Sequence, residues 1–169
     1  PMIEQLLSGL ELTVDDIDGF AVSAGPGSFT GIRIGISSLS ALAYTVKKPI
    51  VGVPTLDVLA MNARFSTGLV VAMINARNHQ VYAGTYTFNN LEQTKISDYV
   101  ADDLNIVLNQ VVNLSNEHNF DHITFVGDGA CAYSDDIFEF FNKYNFKVTI
   151  SDEIDSNLSA KWVAYIGGN

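Results

Sequence analysis

A glycine-rich stretch from Ser23 to Gly35 holds the residues of this chain that are best suited to chemistry. It joins an apolar run that predicts a strand, Phe20 to Ala24, to a longer run that predicts a helix, Ile32 to Val46. Glycine permits left-handed backbone angles and close backbone approach, and bare N–H groups at a helix start attract anions. The stretch therefore predicts a tight strand-to-helix turn of the kind that cradles phosphate groups.

Five residues of this turn are the candidate contacts for a nucleotide or another anion: Gly27, Ser28, Thr30, Gly31 and Arg33. However, the turn contains no lysine and matches neither G-x-x-x-x-G-K-[ST] nor G-x-G-x-x-G. It also lacks the Gly-x-Ser-x-Gly elbow of a serine nucleophile. The pattern favours a structural turn that shapes a partner surface, with direct ligand contact as the alternative.

The predicted helix after the turn carries no charge from Ile34 to Val46. A helix with one exposed face normally shows a polar stripe, so this one needs a cover on a second side. A membrane span would need roughly 20 apolar residues, which this run does not reach. A second predicted helix, Met2 to Leu10, has one apolar face. We expect a partner interface formed by Met2, Ile3, Leu6, Leu7, Leu10, Ile32, Ile36 and Leu39.

Composition limits the classes of protein that fit. The chain has 169 residues, 47% of them apolar, with a formal net charge of −10. Residues 68–169 carry −8 of this charge, which disfavours broad contact with a nucleic-acid backbone. One cysteine, Cys131, excludes an internal disulfide framework. No signal peptide or membrane span is visible in the sequence, so we expect a cytoplasmic protein.

The order of predicted elements indicates a duplicated α/β architecture. Residues 1–67 predict helix, strand, helix, strand, helix, and residues 68–169 predict three strands followed by alternating helices and strands. In the second half, the continuous apolar run Leu69–Ile74 predicts a central strand buried on both faces, Thr94–Val100 predicts a third strand, and the periodicity of Leu104–Leu114 predicts a helix. In both halves a strand runs into a glycine-bearing turn and then a helix, at Gly25–Gly31 and at Gly127–Gly129. We expect two related lobes, 1–67 and 68–169. The chain starts at Pro1 and stops within a helical pattern, so we also expect a piece of a longer protein.

Other chemically interesting residues have simpler interpretations. His118 and His122 have the spacing of zinc ligands on a helix, but Asn119 and the following strand favour a solvated loop. Asp128, between two glycines, is expected to be a turn residue. Arg77 follows a buried strand, and either braces the interface between the lobes or is exposed. We expect Cys131 to be a small packed residue.

Several of these segments carry a resemblance to a known family. Residues 24–35 read AGPGSFTGIRIG, Asn75-Ala76-Arg77 is followed by Val81-Tyr82, and residues 53–56 read VPTL. Together with Ala164-Tyr165-Ile166 they resemble the bacterial TsaB (YeaZ) proteins, accessory subunits of tRNA threonylcarbamoyladenosine synthesis. The family pattern has aspartate where this chain has Asn75, which removes a charge from any metal or ion-pair role there.

The resemblance implies an actin/hexokinase-like (ASKHA) fold of duplicated lobes, with the first lobe incomplete in this chain. It also implies a non-catalytic scaffold that pairs with the catalytic TsaD-like subunit, binds a TsaE-like ATPase through that pair, and reaches tRNA only through the complex. A homodimer of the isolated chain is expected, with no membrane partner. We expect no cofactor bound by this chain alone, and ATP or ADP with Mg²⁺ within the complex.

An enzyme is the alternative from a different class. A sugar-kinase-like ATPase would bind ATP with Mg²⁺ by itself, and a glycoprotease-like peptidase would need a metal triad or an activated nucleophile. Neither the metal triad nor the activated nucleophile of a peptidase is visible in the sequence. The accessory subunit without catalysis of its own, which the resemblance implies, is therefore the favoured interpretation.

Overall fold

A computed structural model of the protein describes residues 2–152 and 157–169. The chain divides into two compact units, and its first and last segments belong to the same unit. Unit 1 comprises residues 1–54 and 160–169, and unit 2 comprises Thr55–Ser159. Both contain helices and strands, which confirms the predicted α/β class.

Unit 1 is built on one pair of parallel strands. Phe20 pairs with Ile50 at one end of the pair and Ser23 pairs with Val53 at the other. A helix packs closely on this pair at Gly167, where an added Cβ would lie 2.6 Å from that of Ala21. The elements of unit 1 are α1 (Met2–Gly9), a 3₁₀ turn (Val14–Asp16), β1 (Phe20–Ser23), α2 (Phe29–Val46), β2 (Ile50–Val53) and α7 (Ala160–Gly167).

Unit 2 contains a larger mixed sheet. The elements of unit 2 are α3 (Thr55–Ala60), a 3₁₀ turn (Met61–Ala63), β3 (Leu69–Arg77), β4 (Gln80–Asn89), β5 (Glu92–Lys95), β6 (Val100–Asp103), α4 (Leu104–Glu117), β7 (His122–Val126), α5 (Asp128–Ala132), α6 (Ser134–Phe141) and β8 (Lys147–Ile150). The strands are ordered β5-β4-β3-β7-β8, and β6 also pairs with β4. β3 is antiparallel to β4 and parallel to β7.

The core of unit 2 has two layers, one on each face of the sheet. One cluster contains Leu69, Val71 and Met73 of β3 together with buried residues of α4 and α6. The other contains Val70, Ala72 and Ile74 together with residues of α3. Alternate side chains of β3 thus enter opposite clusters, because successive strand residues point to opposite faces. This explains the continuous apolar run that predicted a central strand.

The boundary between the units differs from the expected one at residue 67. The helix that begins at Thr55 belongs to unit 2, since Leu56, Leu59 and Ala60 pack into the cluster on β3. The helix that begins at Ala160 returns to unit 1, where it packs on β1 and β2. Long-range packing of this kind leaves no local mark in the sequence.

The expected strand Thr94–Val100 is replaced by two shorter strands, β5 and β6, with residues 96–99 between them. At Ile96 the backbone N–H still donates to the Thr85 carbonyl oxygen of β4 at 2.8 Å, and side-chain hydrogen bonds follow. The Ser97 hydroxyl lies 2.7 Å from the Thr85 hydroxyl, and the Tyr99 hydroxyl donates to Asp57 Oδ1 at 2.7 Å. β5 and β6 therefore pair with successive parts of one long strand.

Candidate functional site

The first helix of unit 1 exposes most of its apolar side chains. Met2 is 85% exposed, Leu6 66% and Leu10 61%, and Ile3 is also exposed. Only Leu7 among the predicted contacts on α1 is half-buried. Large exposed apolar patches on proteins mark interaction sites more often than single exposed residues do. The geometry of α1 therefore suits the contact role predicted from its sequence.

The outward face of α2 adds a second set of exposed apolar residues. Phe29 is 71% exposed, Ile34 62% and Tyr44 86%. At 3.6 residues per turn Ile34 and Tyr44 lie on one side of the helix with Ser37, which is also exposed, and Phe29 is exposed in the first turn. Arg33 is the one charged residue there, and its guanidinium carbon lies 4.9 Å from the centroid of the Phe29 ring. We call Phe29, Arg33, Ile34, Ser37 and Tyr44 the outward face of α2.

The side of α2 around Ala43 carries three residues that the sequence assigned to a partner. Ile32, Ile36 and Leu39 are half-buried and share a helix face with Ala43, which is 2% exposed. Gly35 also lies toward this side, since a Cβ added there would be 3.6 Å from Val22 of β1. These three side chains are thus less accessible than Ile34 and Tyr44, and their contact with a partner remains a prediction. The periodicity showed that α2 was apolar all round but did not show which side faced its strands.

A groove with a volume of about 920 Å³ separates α1 from α2 within unit 1. Ile3 and Leu7 line it from α1, Ser38 and Leu42 from α2, and Leu12 from the connecting segment. Its lining is mostly apolar, and it opens beside the exposed side chains of α1. The groove extends the apolar surface of unit 1.

The glycine-rich turn forms the start of α2, as predicted. Ser28 caps the helix, and its Oγ accepts a hydrogen bond of 3.3 Å from the Gly31 N–H. This N–H is one that an incoming anion would use, so the serine competes for it. Gly25 has φ +104°, which L side chains rarely adopt. Gly27, Thr30 and Arg33 are exposed, and the predicted anion contact at these five residues remains a prediction.

The segment Asn75-Ala76-Arg77 ends β3 beside the start of α5. Asn75 N–H donates to Asp128 Oδ1 at 3.2 Å, and Asn75 Oδ1 accepts from the Arg77 N–H at 2.8 Å and from the Tyr133 hydroxyl at 3.2 Å. A Cβ at Gly129 would lie 2.9 Å from the carbonyl carbon of Ile74, so glycine allows this close approach. Asp128 begins α5 instead of ending a turn, and Arg77 is exposed.

The two closely spaced histidines lie on different elements. His118 caps the end of α4, whereas His122 begins β7, where its Nε2 lies 2.9 Å from Thr149 Oγ1. They therefore share no helix face, and His122 is a strand residue instead of a loop residue. Cys131 is half-buried in α5, with its Sγ 3.6 Å from the Ser151 carbonyl oxygen.

One polar cluster of unit 2 was not predicted. Asp57 Oδ1 accepts hydrogen bonds from Tyr86 at 2.8 Å and from Tyr99 at 2.7 Å. The Gln93 amide donates to the Asp57 carbonyl oxygen at 3.2 Å. From the sequence alone, Asp57 is expected only to place a favourable charge in the first turn of the helix that begins at Thr55. Its partners lie 29 and 42 residues away, a separation that no local pattern reveals.

Residues 2–152 and 157–169 contain no group of three or more His, Cys, Asp or Glu side chains arranged to hold a metal ion. Among these same residues, no helix combines the length and apolar character that a membrane crossing needs.

Comparison with known proteins identifies the broader class first. A family model described as "TsaD: tRNA N6-adenosine threonylcarbamoyltransferase" matches residues 1–163. The fold is also that of a crystal structure from Pseudomonas aeruginosa, titled as an uncharacterized protein with similarity to peptidase YEAZ. The TM-score is 0.76 at 24% identity, over 99% of this chain and 72% of that one.

Curated relatives narrow the assignment. The TsaB protein of Bacillus subtilis (strain 168) is 37% identical over 110 residues, which is 64% of this chain and 45% of the relative. The TsaB protein of Escherichia coli (strain K12) is 40% identical over 88 residues, 51% of this chain and 38% of the relative. The chain belongs to the family of the matching model, and within it to the TsaB (YeaZ) proteins. The matched stretches span less than half the length of these two relatives.

Proposed function

We propose that this chain acts in the synthesis of threonylcarbamoyladenosine in tRNA as a non-catalytic subunit that docks onto a TsaD-like catalytic subunit. The pathway follows from its relatives, which are named as proteins of tRNA threonylcarbamoyladenosine biosynthesis. The observation that carries the docking role is the exposed apolar surface of unit 1, formed by α1 and the outward face of α2. We call this the docking surface, and its largest members are Met2, Leu6, Phe29, Ile34 and Tyr44.

The character of the docking surface supports a protein partner. Aromatic and aliphatic anchors beside small polar residues are typical of the buried centre of an interface. Arg33, stacked on Phe29, supplies a single cation at the margin of the docking surface. A chain with a net charge of −10 is poorly suited to bind tRNA by itself, so tRNA is held by the partner.

Co-purification tests the proposal directly. A tagged catalytic subunit from the same organism should bind this chain on an affinity resin, and the two should co-elute at equimolar ratio in size-exclusion chromatography. Removal of residues 1–10 should weaken the pair, because α1 contributes Met2 and Leu6 to the docking surface. Failure of the wild-type chain to co-elute at tens of micromolar would contradict the proposal.

The cofactor assignment follows from the same proposal. We expect no ATP or ADP to bind the isolated chain, while a nucleotide with Mg²⁺ binds in the assembled complex. At the glycine-rich turn, Ser28 occupies the Gly31 N–H and no lysine is present. Calorimetry of the isolated chain with Mg-ATP measures this. Micromolar affinity would instead favour the kinase-like alternative.

Further partners and the finer fold assignment remain proposals. We infer that units 1 and 2 correspond to two lobes of an actin/hexokinase-like duplication, the first represented only in part. In the absence of the catalytic subunit, the docking surface is expected to form a homodimer, and a TsaE-like ATPase is expected to bind the assembled pair. The site of action proposed for this complex is the cytoplasm.

A further inference from the structure

The turn between β3 and β4 is held in an unusual backbone conformation. Arg77, Asn78 and His79 have φ values of 67°, 50° and 62°, so three consecutive residues other than glycine are left-handed. Asparagine and histidine tolerate this region, but arginine does not favour it. Strained residues of this kind persist only where the surrounding structure fixes them, and they cluster at functional sites.

The surroundings of the turn do fix it. The Arg77 N–H donates to Asn75 Oδ1, and the Leu104 N–H donates to the His79 carbonyl oxygen at 2.8 Å. The His79 ring lies 5.0 Å from the Tyr133 ring, centroid to centroid. Tyr133 in turn donates to Asn75 Oδ1. None of these contacts uses the Arg77 side chain, so glycine at this position would satisfy them with less backbone strain.

The Arg77 guanidinium has no partner within the part of the chain that the structure describes. Arg77 is exposed, and neither of its two neighbours along the turn carries an acidic group. Three acidic residues contact the residues of this turn or those directly beside it. Asp136 Oδ2 lies 3.9 Å from His79 Nε2, Asp103 pairs with Gln80 across the sheet, and Asp128 accepts from Asn75. The turn therefore exposes one cation near three carboxylates.

We propose that Arg77 contacts a carboxylate of the catalytic partner subunit, on a surface where basic side chains flank that carboxylate. This charge pattern is complementary to a cation with carboxylates near it. A nucleic-acid backbone does not provide it, because its uniform negative charge is repelled by these aspartates. A planar guanidinium can form two parallel hydrogen bonds with a carboxylate, and the fixed turn sets the backbone position from which the side chain extends. This inference rests on the proposed function, since it names a second contact with the same partner.

Three variants of the full chain test the contact. Arg77→Gly and Arg77→Asn remove the guanidinium and leave residues that tolerate a left-handed φ. Asn78→Gly is the matched control, because it loosens the same turn and keeps the cation. Affinity for the catalytic subunit is measured by calorimetry at low and at physiological salt, and thermal midpoints are measured in parallel.

The expected result combines unchanged folding with weaker binding. Both Arg77 variants should unfold at or above the wild-type midpoint and bind about tenfold more weakly at low salt, with a flatter salt dependence. Asn78→Gly should bind as the wild-type chain does. Wild-type affinity in both Arg77 variants would overturn the contact, as would an equal loss in Asn78→Gly, which would assign the effect to loop flexibility. Absence of binding by the wild-type chain would instead overturn the proposed function itself.

Discussion

Units 1 and 2 differ in how they treat apolar side chains. In unit 2, large residues such as Phe125, Leu108 and Met73 are fully buried in one of the two clusters on the mixed sheet. In unit 1, the buried residues are few among those described, namely Ala43, Val53 and Trp162. Other large apolar side chains of this unit, including Phe29 and Tyr44, face solvent.

This contrast indicates different roles for the two units. Burial of apolar surface is the main favourable term in folding, so unit 2 has the means to stabilise itself. Unit 1 keeps comparable apolar groups exposed, which is costly in water unless another surface covers them. We propose that unit 2 provides most of the stability and unit 1 most of the contact with a partner. The following predictions test or refine that division.

The largest effect is expected in the core of unit 2. Leu108 of α4 is fully buried, and Leu108→Ala should lower the free energy of unfolding by about 2–5 kcal/mol, since it leaves a cavity. Ile106 on the same helix is 47% exposed, so Ile106→Ala should change it by no more than about 0.5 kcal/mol. Urea denaturation of both variants measures the difference. Equal effects would contradict the proposed location of the core.

A smaller effect is expected at the unpredicted polar cluster. Tyr86 is 1% exposed, and Tyr86→Phe removes a donor from the Asp57 carboxylate, which should cost about 1–3 kcal/mol. Tyr99→Phe, at a residue that is 41% exposed, should cost less. Thermal denaturation at neutral pH compares the two variants. A larger loss of stability in Tyr99→Phe than in Tyr86→Phe would contradict the prediction.

The same cluster should make stability sensitive to alkaline pH. Burial, and then the charge of Asp57, raise the pKa of Tyr86 above its ordinary value. The neutral phenol is thus favoured in the folded state, so its contribution is complete below about pH 10 and declines as the pH rises further. Denaturation of the wild-type chain between pH 8 and 11 should show this decline, and Tyr86→Phe should reduce it. An identical decline in the variant would assign it to other groups.

The smallest effect is a gain in stability. Ser115 of α4 is fully buried, and its hydroxyl has no hydrogen-bond partner among the residues that the structure describes. Ser115→Ala should therefore raise the free energy of unfolding of unit 2 by about 1 kcal/mol. Ser37→Ala, at an exposed position of α2, is the matched control and should give no more than about half of this gain from helix propensity alone. Thermal unfolding midpoints of the two variants, measured by calorimetry, test this prediction; an equal gain in both would contradict it.

The sequence predicted the elements better than their packing. The apolar run of β3 and the periodicity of α4 identified both correctly, because each pattern is local. The sequence did not show which side of α2 faces its strands, since an uncharged helix has no polar stripe to orient it; Ile32, Ile36 and Leu39 prove to be half-buried. The assignment of α3 to unit 2 depends on contacts with β3, which lie beyond any local pattern. The cluster around Asp57 was missed for the same reason.

Two isoleucines of α2 provide the most direct test of the docking surface. Ile34 is 62% exposed on the outward face, whereas Ile36 is half-buried on the side of Ala43. Sedimentation with the catalytic subunit, combined with circular dichroism, should show that Ile34→Glu folds normally but binds at least about tenfold more weakly. Ile36→Glu should instead lose structure in unit 1, because it places a charge on the half-buried side of α2 beside Ala43. Normal pairing by a folded Ile34→Glu variant would contradict the account.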